Sequence, residues 1–128
     1  MYICRITARG YELDSYGHVN NAVFYNYFEH ARWELFREKD LLVELTSKGL
    51  FLVVVEVNIR YQHEVRMGDE VEIKTSVRKE DPFIIFEQKM KIPASGQSIA
   101  RARVKTVFVD NERISRDIPV EIGSVFTE

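Results

Sequence analysis

Only one long stretch of this chain has helical periodicity, and most of the chain after it has the periodicity of β-strands. On a helix, five apolar side chains of that stretch form one stripe about 100° wide: Phe24, Tyr27, Phe28, Ala31 and Leu35. Asn20 or Asn21 is suited to cap its N-terminus, and the pattern ends near Arg37 or Glu38. The sequence therefore predicts a single long helix that the rest of the chain must cover.

The segments after Gly49 predict about four antiparallel strands joined by tight turns. Residues 50–57 form a continuous apolar run, which is typical of a central strand that is covered on both faces. Residues 71–77, 84–92 and 100–108 instead alternate between two faces, as strands with one buried side do. Such strands form a single sheet with one wet face.

The remaining segments are short. We expect a strand at 2–8, and a second helix at 41–47 that is followed by Gly49 in a left-handed conformation. Residues 114–126 are weakly patterned, and Ile118-Pro119 indicates an edge strand or a loop. Together the elements predict an α+β fold, in which one long helix packs on one antiparallel sheet.

The composition is that of one globular domain spanning residues 1–128. The net charge is −2, so no overall attraction to nucleic acid or to a membrane is expected. Cys4 is the single cysteine, and it fits a buried residue of the first strand in a cytoplasmic protein. No spacing of metal-ligating residues is present, and we expect neither a metal nor a cofactor.

A polar turn lies directly before the predicted helix. Asp14 can accept backbone N–H bonds from two or three residues further on, and Gly17 permits a positive φ. His18 adds an imidazole to the same turn. A carboxylate and an imidazole just upstream of a helix start are an unusual combination, and this turn is the candidate functional site.

The run Asp14-Ser15-Tyr16-Gly17-His18-Val19-Asn20-Asn21, followed by Tyr27, Glu29 and Arg32, resembles the signature of the hotdog-fold thioesterases. This family includes 4-hydroxybenzoyl-CoA thioesterase, and the resemblance extends over nearly the whole chain. Within the family the similarity is strongest to the bacterial long-chain acyl-CoA type. The asparagine at position 21, where a short-chain subgroup carries histidine, agrees with that assignment.

The resemblance implies roles for three residues of the turn and the helix start. Asp14 corresponds to the aspartate that attacks the thioester directly or acts as a general base on water, and the sequence leaves both routes open. The backbone N–H of Asn21 corresponds to the oxyanion donor. His18 is expected to orient Asp14 or to shape the site, although a purely structural role remains open.

The resemblance also implies a site between two subunits, in a homodimer or a dimer of dimers. Val54 and Val55 lie on the strand expected to line the acyl chain, and Arg60 is a candidate for the CoA phosphates, as are Arg66, Arg101 and Arg103. The remaining substrate contacts are expected at three residues: Gly17, Tyr25 and Glu29. Glu29 and Arg32 also have the spacing of an intrahelical ion pair.

The sequence thus predicts a metal-free thioesterase that cleaves a medium- or long-chain fatty acyl-CoA into free acid and CoA. Two alternatives remain open. One is the same reaction on an aromatic acyl group or on a carrier-protein thioester. The other is an acyl-CoA-binding module without catalysis.

Overall fold

The structure is a computed structural model, and it describes residues 1–119. Its α-helices and strands follow in this order: β1 (Tyr2–Thr7), α1 (Asn21–Glu38), α2 (Leu41–Ser47), β2 (Leu50–Tyr61), β3 (Glu70–Glu80), β4 (Phe83–Ile92), β5 (Gln97–Asp110) and β6 (Ser115–Arg116). A 3₁₀ helix, Gly10–Glu12, lies between β1 and α1. The predicted bounds of α1 and α2 are confirmed. Gly49 has φ 65° after the end of α2, as predicted.

The strands form one antiparallel sheet in the order β1-β3-β4-β5-β2, and β6 extends it by pairing with Phe108 and Val109 of β5. Neither of the two α-helices in residues 1–119 has the length and hydrophobicity that crossing a membrane requires. One long helix with a single sheet confirms the α+β prediction.

The core lies between α1 and the inner face of the sheet. The predicted stripe of α1 is buried, and Phe28 and Ala31 have no exposed surface. Alternate residues of the strands meet this stripe, among them Ile73 and Phe86. Burial of this apolar surface is what attaches the helix to the sheet, at roughly 25 cal/mol per Å².

The position predicted for β2 is wrong within the subunit. It was expected in the centre of the sheet, but within residues 1–119 it pairs only with β5 and forms an edge. Phe51, Val53 and Val55 of β2 are 49%, 41% and 52% exposed. A continuous apolar run marks a strand that is covered on both faces, but it does not reveal whether the cover comes from the same chain.

The predicted ion pair between Glu29 and Arg32 is also absent among the described residues. Glu29 is exposed, whereas Arg32 is buried and donates to Gln88 Oε1 at 3.1 Å. Gln88 in turn donates to the carbonyl of Phe28 at 2.9 Å. Burial lowers the pKa of the Arg32 guanidinium, although the nearby Tyr25 and Glu29 partly oppose this effect. The polar network ties the middle of α1 to β4.

The tail is short in the described part of the chain. Residues 115–116 form β6, and residues 117–119 are irregular, as the prediction of an edge or a loop at Ile118-Pro119 allows. The rest of the predicted tail, residues 120–126, lies outside the described residues.

Candidate active site

The turn between residues 13 and 20 is closed by backbone hydrogen bonds. Asp14 N–H donates to the carbonyl of His18 at 2.8 Å, and Leu13 forms a β-bridge with Val19. Asn20 N–H donates to the carbonyl of Glu12 at 2.9 Å. The turn is therefore a small rigid loop that leads directly into α1.

The carboxylate of Asp14 is held by this loop through one of its oxygens. Its Oδ1 accepts the backbone N–H of Tyr16 at 2.8 Å and that of His18 at 3.3 Å. The predicted Asx-turn is thus present, with donors two and four residues on. Within residues 1–119, Oδ2 has no hydrogen bond, and the side chain is partly exposed. One oxygen therefore fixes the carboxylate, and the other is left without a partner among the described residues.

The N-terminus of α1 follows immediately. Asn20 is the N-cap, and its side chain accepts the N–H of Ala22 at 2.9 Å. Asn21 is the first helical residue, and no acceptor takes its N–H in the described part of the chain. A helix start also carries a partial positive charge. The loop and the helix start together place an anionic group and a free N–H donor on adjacent stretches of chain.

A buried carboxylate fastens the loop to the helix. Glu12 accepts the Tyr27 hydroxyl at 2.5 Å and the Arg9 N–H at 2.8 Å, and Arg9 Nη2 lies 2.7 Å from its other oxygen. Burial alone raises the pKa of Glu12, but these hydrogen bonds outweigh it and leave the pKa below its ordinary value. Burial and the bond to Glu12 raise the pKa of Tyr27. Sequence reasoning gave Glu12 no part in the site.

The imidazole of His18 does not contact Asp14. Its Nε2 pairs with the carboxylate of Glu64, which follows β2 and also accepts from Arg66 at 3.2 Å. Only the backbone N–H of His18 reaches Asp14. His18 therefore orients Asp14 through its main chain, while its side chain ties the loop to the segment after β2. Nothing in the sequence indicated Glu64, because the contact spans 46 residues of chain.

Tyr61, at the end of β2, is a second residue that the sequence did not reveal. Its hydroxyl donates to the carbonyl of Asn21 at 3.2 Å, and its ring lies 5.5 Å from that of Phe24. The edge strand and the start of the helix are therefore in contact. This contact brings β2 to the same end of the molecule as Asp14.

Three other predicted substrate contacts, Gly17, Tyr25 and Glu29, lie on the loop and on α1. Gly17 has φ 83° and nothing within 4 Å of an added Cβ, so the turn geometry and not crowding calls for glycine. Tyr25 is partly exposed and its ring lies 5.8 Å from the Arg32 guanidinium. Glu29 is exposed and lies two helical turns from Asn21.

Val54, Val55 and Arg60 lie on β2, with different orientations. Val54 is opposite the buried Thr106 of β5 and so faces the helix side of the sheet, whereas Val55 is the extra residue of a β-bulge. Arg60 is opposite Arg101, on the outer face of the sheet. Within one subunit, Arg60 does not join the loop and the helix start.

Comparison with known proteins identifies the family. The family model described as the thioesterase-like superfamily matches residues 9–126. The long-chain acyl-CoA thioesterase FadM of Escherichia coli (strain K12) is 32% identical over 107 residues, which cover 83% of this chain and 81% of that protein. The chloroplastic acyl-acyl carrier protein thioesterase ATL2 of Arabidopsis thaliana is 32% identical over 94% of this chain, which spans 65% of that protein.

Solved structures of thioesterases have the same fold as this chain. The probable thioesterase YbaW from Escherichia coli superposes with a TM-score of 0.89 at 28% identity, over 98% of this chain and 96% of that one. A 1,4-dihydroxy-2-naphthoyl-CoA thioesterase from Synechocystis has the same TM-score, 0.89, at 18% identity over 98% and 94% of the two chains, which supports the fold alone. The chain belongs to the thioesterase-like superfamily, and it is a thioester hydrolase with the hotdog fold.

Proposed function

We propose that this protein hydrolyses medium- or long-chain fatty acyl-CoA to the free acid and CoA. The observation that carries the proposal is the Asp14 carboxylate, which is fixed through Oδ1 and free at Oδ2 on the loop leading into α1. The free N–H of Asn21 supplies the donor that a thioester carbonyl needs. The similarity to a long-chain acyl-CoA thioesterase supports the same substrate class.

The reaction follows from these two groups. Oδ2 of Asp14 accepts a proton from water while the water oxygen bonds to the thioester carbon. The Asn21 N–H donates to the carbonyl oxygen as it becomes negative, and the partial charge of the helix start adds to this stabilisation. When the C–S bond breaks, the CoA sulfur takes the proton back from Asp14. Direct attack by Asp14, through an anhydride that water then cleaves, uses the same oxygen.

The proposal includes a homodimer formed through β2. In the described part of the chain β2 has a free edge with exposed apolar side chains, and such an edge is suited to pairing with a second copy. Pairing there places the partner beside Tyr61 and the start of α1. Val54 and Val55 are accessible at this edge to line the acyl chain, at 37% and 52% exposure.

Carrier-protein thioesters are a second candidate substrate. A plant relative that matches 94% of this chain is named an acyl-acyl carrier protein thioesterase. A panel of chain lengths on both CoA and carrier protein, with thiol release as the readout, ranks these substrates.

Asp14→Asn tests the chemistry. We expect kcat to fall by about 10²-fold or more, because the amide neither accepts the proton nor attacks, while the melting temperature and circular dichroism are retained. Ser15→Ala, an exposed neighbour, is the matched control and keeps its activity. Near-normal turnover of Asp14→Asn on every substrate that the wild type cleaves contradicts the proposed role.

A further inference from the structure

Four cations stand in one row across the outer face of the sheet. The strand registers pair Arg60 of β2 with Arg101 of β5, Arg101 with Lys89 of β4, and Lys89 with Lys74 of β3. We call these four residues the cation row. Directly opposite residues on neighbouring strands have Cβ atoms about 4.5–5.5 Å apart. The row is therefore continuous across four strands.

The side chains of the row point away from the core. The residues that alternate with them, Ile59, Ala100 and Met90, belong to the hydrophobic core or pack against it. Two shallow grooves, of about 260 and 240 Å³, lie along the row. Both are lined by Lys89 and Arg101, which confirms that the four strands present these side chains to a common surface.

No carboxylate forms an ion pair with the row within residues 1–119, although Glu87 lines one of the two grooves. The flanking carboxylates are already paired. Glu72 lies 3.1 Å from Arg5 and 3.8 Å from Lys91, and Glu87 pairs with Arg78. Like charges directly opposite each other destabilise a sheet. A row of this kind costs stability, and a bound anion offsets that cost.

The shape of the row favours a protein over a nucleotide. Three interstrand spacings of about 4.8 Å give the row a length of roughly 14 Å on an open face. Nucleotide sites are concave and offer apolar or aromatic contacts to the base, but no described residue that lines the two grooves is aromatic. An α-helix with carboxylates three and four residues apart has Cβ spacings of about 5–6 Å, which is close to the spacing of the row.

The row ends at Arg60, near the end of β2 but on the outer face of the sheet. Arg60 is adjacent in sequence to Tyr61, whose hydroxyl contacts the first residue of α1. A protein bound along the row is thus near the end of β2 that contacts the start of α1. A second copy does not suit the row, because a two-fold contact through this face sets cations against cations.

We propose that the cation row docks an acidic helix of a protein that carries the acyl group as a thioester. This inference rests on the proposed hydrolytic function of the Asp14 site. The docked carrier keeps its helix on the outer face, and its thioester arm passes the Tyr61 end of β2 to reach the start of α1.

The test compares two substrates with the same acyl chain, one on acyl carrier protein and one on CoA. Lys89→Glu is expected to raise KM for the carrier-protein thioester by about tenfold or more with little change in kcat, because it places a carboxylate against the acidic helix. KM for the CoA thioester stays unchanged. Lys39→Glu makes the same charge change on an exposed lysine just beyond α1 and is the matched control. Because Lys89→Glu removes like-charge repulsion within the row, its Tm is expected to equal or exceed that of the wild type.

A calorimetric titration of unacylated carrier protein into the enzyme measures docking without turnover. Binding to the wild type that weakens with NaCl and with Lys89→Glu supports the proposal, even where no thioester is cleaved and the proposed function fails. If the wild type and Lys89→Glu bind the carrier protein with equal affinity, the docking proposal is overturned. A rise in KM for acyl-CoA alone also overturns it and assigns the row to the phosphates of CoA.

Discussion

Asn21 contributes a backbone group to the proposed chemistry, and that group can be removed without removing the helix. Proline is favoured at the first position of a helix, where its missing N–H has no intrahelical acceptor. The residue before it must be extended, and Asn20 already has φ −61° and ψ 140°. Asn21→Pro therefore deletes the N–H with little change to the fold.

We expect Asn21→Pro to lower kcat by about 10²–10³-fold, as the loss of one oxyanion donor does. Asn21→Ala keeps the N–H and is expected to retain most of the activity. Steady-state kinetics on one acyl-CoA, with thermal unfolding of both variants, separates the effects. An active Asn21→Pro enzyme refutes the oxyanion role of this group.

At the scale of single residues, the sequence predicted contacts between residues that are close together along the chain. It missed contacts with residues that are distant in the sequence. The Asx-turn of Asp14, the cap at Asn20 and the positive φ of Gly17 are local properties, and the structure confirms them. Glu64 and Tyr61 reach the loop only because the sheet brings the end of β2 to the start of α1. No periodicity in the sequence encodes that approach.

The loop and α1 act as one unit because Glu12 joins them. The pKa of folded Glu12 lies below its ordinary value of 4.5, so the unfolded chain binds this proton more readily than the folded chain. The stability that Glu12 contributes is therefore complete well above pH 4.5 and is lost as the pH falls through its lower folded pKa.

Glu12→Gln is expected to lower the free energy of unfolding at pH 7 by about 2 kcal/mol, since it weakens hydrogen bonds to a buried charged group. As the pH falls below 4.5, the free energy of unfolding should also decrease less for the variant than for the wild type. Urea unfolding across this range measures both effects. Parallel pH profiles for the two proteins show that Glu12 does not carry the acid dependence. Glu44→Gln, an exposed helix residue, is the control.

At the scale of elements, the boundaries of helices and strands were predictable, as in α1 and α2. Periodicity and capping depend only on residues that are close together in the sequence. The place of β2 in the sheet was not predictable, because an apolar run reports burial and not the identity of the covering surface. Its exposed apolar residues fit the proposed contact with a second subunit.

For the whole molecule, charge and hydrophobicity divide the sheet into two surfaces, and each suits one of the two proposed contacts. The edge of β2 is apolar and, within residues 1–119, has backbone groups that pair with no other strand, which suits a second copy of the chain. The outer face carries the cation row and suits an acidic partner instead. A homodimer through β2 leaves this outer face open in both subunits, so that self-association and carrier docking do not compete.

Val53→Glu tests the dimer and its relation to activity together. The side chain is 41% exposed in the subunit, so a glutamate there is tolerated by the fold but places a charge in the proposed interface. We expect light scattering to show half the wild-type mass, and kcat/KM to fall although the loop of Asp14 is unchanged. Val43→Glu on α2, where the valine is 75% exposed, keeps both mass and activity. A dimeric Val53→Glu protein shows that association uses another surface, and an active monomer shows that one subunit completes the site alone.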